Sequence, residues 1–193
     1  PTDDPVFKNN SSRIKKASLH LVEGAGQLLP GDVRDVLESL TSSNCLERLQ
    51  LATMILLSVS LFLQSDEVTK ITINNFATDL TIARDLTKPP SGLNVAVKGK
   101  SDKTYVNLYL WLNNETPDLC PVRYLLVYMY CAGIKGGYLF PSETEILRAQ
   151  PDDGVYTTRQ SENTFYDQLC HLWFNVLKRS TKLGTHTCRK TGY

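Results

Sequence analysis

The stretch from Leu51 to Leu63 constrains this chain more than any other. It is almost wholly apolar, broken only by Thr53, Ser58 and Ser60. A helix with so little polar surface has to be enclosed by other elements, because leaving it in water costs about 25 cal/mol for every Å² of apolar area. It is too short and too interrupted to cross a bilayer. We therefore expect a helix from about Cys45 to about Leu63 at the centre of a domain. The chain has 193 residues, enough for one well-cored domain. Hydrophobic residues at 41% and charged residues at 21% are ordinary for a globular protein.

Other elements should wrap around that helix. Leu29-Pro30-Gly31-Asp32 opens an earlier one, with Val33, Val36, Leu37 and Leu40 at helical spacing and Pro and Asp in the first turn. A β region follows the central helix: Ile71–Ile73, Ala77–Ile82, Leu93–Val97 and Thr104–Leu110. These runs are rich in Val, Ile, Thr and Tyr. The turn residues Lys88-Pro89-Pro90-Ser91-Gly92 and Gly99-Lys100-Ser101-Asp102 bound the later ones. Two or three antiparallel strands fit this. Helices then return. One starts at Pro121 and runs to about Cys131, with Val122, Leu125, Leu126 and Met129 on one face and Gly133 to stop it. Gly136–Pro141 reads as a short extended piece and residues 148–160 as a loop. A strong amphipathic helix spans about Ser161 to Lys178, with Phe165, Leu169, Leu172, Trp173, Val176 and Leu177 inward and Ser161 as its cap. Thr185 is placed to cap a last helix that begins at His186. The expected class is α+β, mainly α, with a small antiparallel sheet of two or three strands on one edge.

Residues 1–18 are polar and include Arg13, Lys15 and Lys16; they read as a linker or arm from a preceding domain, leaving 19–193 as the domain proper. The opening Pro-Thr-Asp-Asp has no basic region followed by an apolar core, so we expect no signal peptide there. The Pro1 start and Tyr193 stop suggest an excised domain. Five cysteines, Cys45, Cys120, Cys131, Cys170 and Cys188, are odd in number and show no zinc-knuckle or CxxC spacing. Reduced thiols in an intracellular protein are expected, and no metal site.

The net charge is only +1, which does not by itself mark a nucleic-acid binder. Its distribution says more. Lys8–Lys16, Lys98–Lys103 and Lys178–Lys190 are basic, while acids gather at Asp32–Glu38 and Glu143–Asp153. If the basic segments converge, they form a face for a polyanion.

Three features carry possible chemistry. In Gly184-Thr185-His186-Thr187-Cys188-Arg189-Lys190, His186 and Arg189 are three apart and share a helix face. Arginine offers a planar fork of donors to two phosphate oxygens, and histidine can donate to a third or move a proton. The same residues also fit a surface histidine and a solvated arginine. The second feature is Lys98, with Lys100 and Lys103, in a turn between two predicted strands. From there a lysine can reach DNA or protonate a leaving oxygen, or simply decorate a charged turn. The third is Phe62-Leu63-Gln64-Ser65-Asp66-Glu67-Val68, where polar residues abruptly follow the apolar helix. Its plain reading is a helix end capped by Ser65 and Asp66.

In order and rough spacing these three features resemble the tyrosine recombinase family. Its first motif resembles Gly-Leu-Arg-x-x-Glu-Leu at the end of an apolar helix, which Phe62–Val68 matches with Gln64 at the arginine. A lysine in a following β-turn matches Lys98, and a His-x-x-Arg helix start matches His186 and Arg189. Asp118-Leu119-Cys120-Pro121-Val122-Arg123 and Gly137-Tyr138-Leu139-Phe140-Pro141 look most like the eukaryotic crypton branch and its domesticated relatives. The likeness runs from about Leu29 to Tyr193.

The resemblance implies a catalytic-core fold that cuts and rejoins double-stranded DNA. A tyrosine hydroxyl attacks a phosphodiester to give a 3′-phosphotyrosine. Two arginines and a histidine neutralise the phosphate oxygens, and the lysine protonates the leaving 5′-oxygen. No metal or nucleotide cofactor is implied. It also implies self-association on DNA, a nuclear location and no membrane. Arg13, Lys15, Lys16, Lys100 and Lys103 become candidate phosphate contacts, which position rather than specify. Two departures follow. Gln64 is neutral where the family has an arginine, and losing such a group costs on the order of 10³-fold in phosphoryl transfer. The family's nucleophile falls well beyond the second arginine, so Tyr193, four residues past Arg189, is not expected to be it. Lys190 stands where a second histidine is expected nearby. Two further readings stand beside strand exchange. One is a domesticated, inactive recombinase fold kept as a DNA-binding or protein-interaction module, and the other is an unrelated helical domain.

Overall fold

The computed structural model describes residues 28–42, 45–77, 80, 88–99, 104–147, 154–180, 183–184 and 187–190, the last two without their side chains. Among these residues the element order is helices, a two-stranded sheet, then helices.

Helix α1, Pro30–Thr41, begins with proline in its first turn, where the missing N–H is no loss. The Asp32 carboxylate accepts from the Leu29 N–H at 2.8 Å and so closes the helix start. Val33, Val36, Leu37 and Leu40 form its buried stripe, as their spacing predicts, and face α2. Helix α2, Leu46–Ser60, is the expected central helix. Every residue from Gln50 to Val59 is buried. It packs against α1, against α4 (Pro121–Cys131), against α5 (Glu143–Leu147) and against α7 (Thr187–Lys190). No helix among the described residues is long and apolar enough to cross a membrane.

A short helix α3, Ser65–Thr69, follows α2 after a tight turn and packs against α6, Glu162–Asn175. Ser161 caps α6 as predicted: its hydroxyl accepts from the Thr164 N–H at 3.0 Å. Helix α4 carries Val122, Leu125, Leu126 and Met129 inward and ends before Gly133, whose φ of 63° suits glycine.

The sheet consists of β1, Gly92–Val97, and β2, Val106–Trp111, antiparallel and in register from Gly92 opposite Trp111 to Val97 opposite Val106. Leu93, Val95 and Val97 alternate inward, as period-two patterning requires. The run Ile71–Ile73 was a strand candidate, and the structure differs there. Thr72 makes only an isolated bridge to Tyr138, and Ile73–Asn75 is a 3₁₀ turn. Asn75 Oδ1 accepts from the Thr72 N–H at 2.7 Å and from the Thr72 hydroxyl at 2.8 Å, a local bond that competes with a ladder. Most of the candidate strand 77–82 lies outside the described residues. Helix α5 was not expected. The 148–160 segment is more than loop, since β4, Val155–Tyr156, pairs in parallel with β3, Gly136–Gly137.

Candidate functional site

The turn from α2 into α3 is held from below. The Leu61 N–H donates to Leu57 O at 2.9 Å and the Leu63 N–H to Ser58 O at 2.8 Å. Leu61 and Leu63 are buried, while Phe62 between them is exposed and takes a positive φ of 56°. A non-glycine residue in that region costs about 1–2 kcal/mol, which the packing on either side offsets. Gln64 comes next, half-buried and extended, as the N-cap of α3. Its N–H donates to Glu67 Oε2 at 2.9 Å. The end of α2 is closed by main-chain bonds and not by Ser65 and Asp66 as expected, and the start of α3 is closed by a carboxylate three residues on, the reaching-back half of a capping box. Glu67 is buried, and its carboxylate holds the main chain at 64.

Asp66 and Thr69 hold a residue that sequence reasoning missed. Arg159 Nη1 donates to Thr69 Oγ1 at 2.9 Å and stands 3.8 Å from Asp66 Oδ1. Lys70 Nζ meets the other Asp66 oxygen at 2.6 Å. Arg159 lies just ahead of α6, so the cluster joins α3 to α6. Nothing local in the sequence signals it, since the partners are 90 positions apart. It engages residues past Gln64, on the body of α3, and is committed to them.

Lys98 is exposed, one step past the end of β1. Its strand is tied to the segment that follows α3: Asn75 Nδ2 donates to Ala96 O at 2.7 Å, and Phe76 bridges to Val95. The strand bearing Lys98 and the helix capped by Gln64 are therefore joined through Ile71–Phe76.

Helix α7 packs on α2, the helix that leads to Gln64. Its start is fixed by Thr187, whose hydroxyl donates to Gly184 O at 2.8 Å and accepts from the Gly184 N–H at 3.0 Å. The Tyr166 hydroxyl on α6 donates to Leu183 O at 2.9 Å. Cys188 faces the core, and burial pushes its thiol up to about 12. The main chain of Arg189 and Lys190 is thus placed on α7. Their side chains lie outside the described residues, as do His186, Arg13, Lys15, Lys16, Lys100 and Lys103.

An apolar cleft of about 400 Å³ opens elsewhere, among Leu40, Cys45, Leu46, Leu49, Val127 and Cys131. It sits at the start of α2, and Gln64 follows that helix's far end, about 22 Å along it. Among the described residues no three His, Cys, Asp or Glu gather as metal ligands.

No protein-family model matches the chain, and no curated protein matches it in sequence. Solved structures do match. One is the XerH site-specific recombinase bound to difH substrate in a pre-cleavage complex, with a TM-score of 0.53 and 18% identity over 86% of this chain and 41% of that one. Another is XerH bound to palindromic difH substrate in a post-cleavage complex, with a TM-score of 0.53 and 19% identity over 86% of this chain and 40% of that one. At such identities the likeness is one of fold: the chain has the fold of a tyrosine recombinase catalytic domain. It spans about two-fifths of the length of the recombinases it matches.

Proposed function

We propose that the chain acts on double-stranded DNA as the catalytic domain of a strand-cutting and rejoining protein of the tyrosine recombinase type, closest to the crypton branch. The observation that carries this reading is the shared fold with the XerH site-specific recombinase bound to its difH substrate, with α7 and the Gln64 turn both built on α2. In this reading Arg189 and His186 grip a phosphate, Lys98 protonates the leaving oxygen, and a tyrosine beyond Tyr193 attacks. Lys190, Lys100, Lys103 and the arm with Arg13, Lys15 and Lys16 contact flanking phosphates. Copies assemble on DNA in the nucleus, and neither metal nor nucleotide takes part.

A second reading, a DNA-binding module without strand cleavage, is favoured by Gln64. The position is anchored, its residue is neutral, and Arg159 is held by Thr69 and Asp66. One experiment separates the two. A chain extended by its own following residues is offered a suicide duplex, and the covalent adduct is counted for the wild type, Gln64→Arg and Lys98→Ala. Under the first reading the adduct forms, rises by orders of magnitude in Gln64→Arg and falls in Lys98→Ala. Duplex binding that weakens steeply with salt, with no adduct from any variant, establishes the second. No duplex binding overturns both.

A further inference from the structure

The outward face of the β1–β2 hairpin is aromatic, with one cation, Lys98, at the end away from Trp111. Trp111 is 70% exposed, Tyr105 62% and Tyr109 37%. Positions 105, 107, 109 and 111 share the alternation that turns them away from the core, and so do Asn94 and Lys98 on the other strand. Aromatics left in water cost apolar burial that a sheet edge can normally recover by substitution, so such a cluster needs a reason. The rings are also organised. Tyr109 and Trp111 meet edge to face with centroids 4.3 Å apart. The Tyr109 ring lies over Gly92, where even a Cβ would collide with it. That glycine is what lets the phenol settle beside the indole. None of these outward positions is acidic, and Lys98 adds a cation.

We propose that this face is a stacking platform for the unpaired bases of single-stranded DNA. Aromatic faces accept any base by stacking, and a flanking cation follows the phosphate backbone. The complementarity is with a polyanion that also exposes flat apolar rings, which duplex DNA does not do along its length. The inference rests on the DNA reading above and deepens it: exchanging strands between duplexes releases an unpaired stretch beside the cut, and the outward face of the hairpin, with Lys98 at its turn end, is where it is received.

The two tryptophans make the test direct. Trp173 is 3% exposed and Trp111 70%, so quenching of tryptophan emission by an added oligonucleotide reports on Trp111. The 193-residue chain is titrated with oligo(dT), with a duplex of the same length and with oligo(U), and Trp111→Ala and Tyr109→Ala are titrated alongside by anisotropy of labelled DNA. Sedimentation of each protein alone checks for self-association. The platform predicts quenching by oligo(dT), and about tenfold weaker oligo(dT) binding in each variant with duplex affinity unchanged. Gly92→Ala, which keeps every ring but displaces Tyr109, weakens oligo(dT) in the same direction. Unchanged oligo(dT) affinity in Trp111→Ala, with duplex binding intact, overturns the platform alone. Binding to neither nucleic acid overturns the DNA reading as well. Stronger quenching by oligo(U) than by oligo(dT) overturns the assignment to DNA, and a wild-type dimer lost in Trp111→Ala assigns the face to a second copy of the chain instead.

Discussion

The Tyr128 hydroxyl donates to Gln50 Oε1 at 2.8 Å inside the core, and Gln50 Nε2 passes the connection on to Pro141 O at 3.0 Å. Two side chains thus tie α4 and α2 to the extended piece after β3, and Tyr128 also stacks on Phe140 with centroids 5.7 Å apart. Tyr128→Phe keeps the stack and strands one buried amide oxygen, which costs about 1–3 kcal/mol. Gln50→Leu strands the hydroxyl and the Pro141 carbonyl together and costs more. Urea unfolding at neutral pH measures both, and equal stability of Tyr128→Phe and wild type would show that the bond contributes nothing.

Alkali is expected to unfold this protein early. Burial raises the Cys188 thiol to about 12 and lifts the Tyr128 phenol well above its ordinary value. Both groups are held neutral in the folded state and released to ionise in the unfolded one. The stability they contribute is complete below the ordinary thiol value near 9, and it drains away as pH climbs from there toward about 12. Thermal midpoints between pH 8 and pH 11.5 should fall, and less steeply in Cys188→Ala. Alkylation at pH 8 should label the exposed Cys131 long before Cys188, because the thiolate is the nucleophile.

Two glycines make an opposed pair. Gly137 has a φ of 73°, and a Cβ there would strike the backbone carbonyl of Tyr156 across the β3–β4 pair. Gly137→Ala should lose at least about 2 kcal/mol. Gly31, in the first turn of α1, has open space around it. Gly31→Ala should gain about 0.5 kcal/mol by restricting the unfolded chain. Differential calorimetry of the two variants reads both signs.

Asp66 is buried and served by two cations, Lys70 and Arg159. Removing either leaves the other, so Lys70→Ala and Arg159→Ala should each cost about 1 kcal/mol. Removing both leaves a carboxylate without a cation and should cost about 3–5 kcal/mol. Additive single and double losses in a double-mutant cycle would refute the shared role.

The sequence was most legible where burial and local chemistry agreed. Pro30, Pro121 and Ser161 mark helix starts, and the stripes behind them face the core as their spacing requires. Alternation in Gly92–Val97 located a strand to within a residue. Elsewhere the local signal was weak or misleading. Helix α5 buries only Ile146, too little to leave a period. Ile71-Thr72-Ile73 has strand composition, yet Asn75 turns it by bonding back to Thr72. Arg159 belongs to its cluster only through the fold, which no neighbouring residue encodes. At the site, the motif at Gln64 was legible as the end of the apolar helix, whereas the short helix after it and the capping role of Glu67 appear only once the chain has turned.

The junction after α2 separates a location from an electrical property. Leu61 and Leu63 are held through their own main chains, and the Glu67 carboxylate takes the N–H of residue 64, so these bonds are made to the backbone. The main-chain bonds that place residue 64 are open to an arginine as well as to a glutamine, so exchanging one for the other changes the charge at this junction while those bonds stay available.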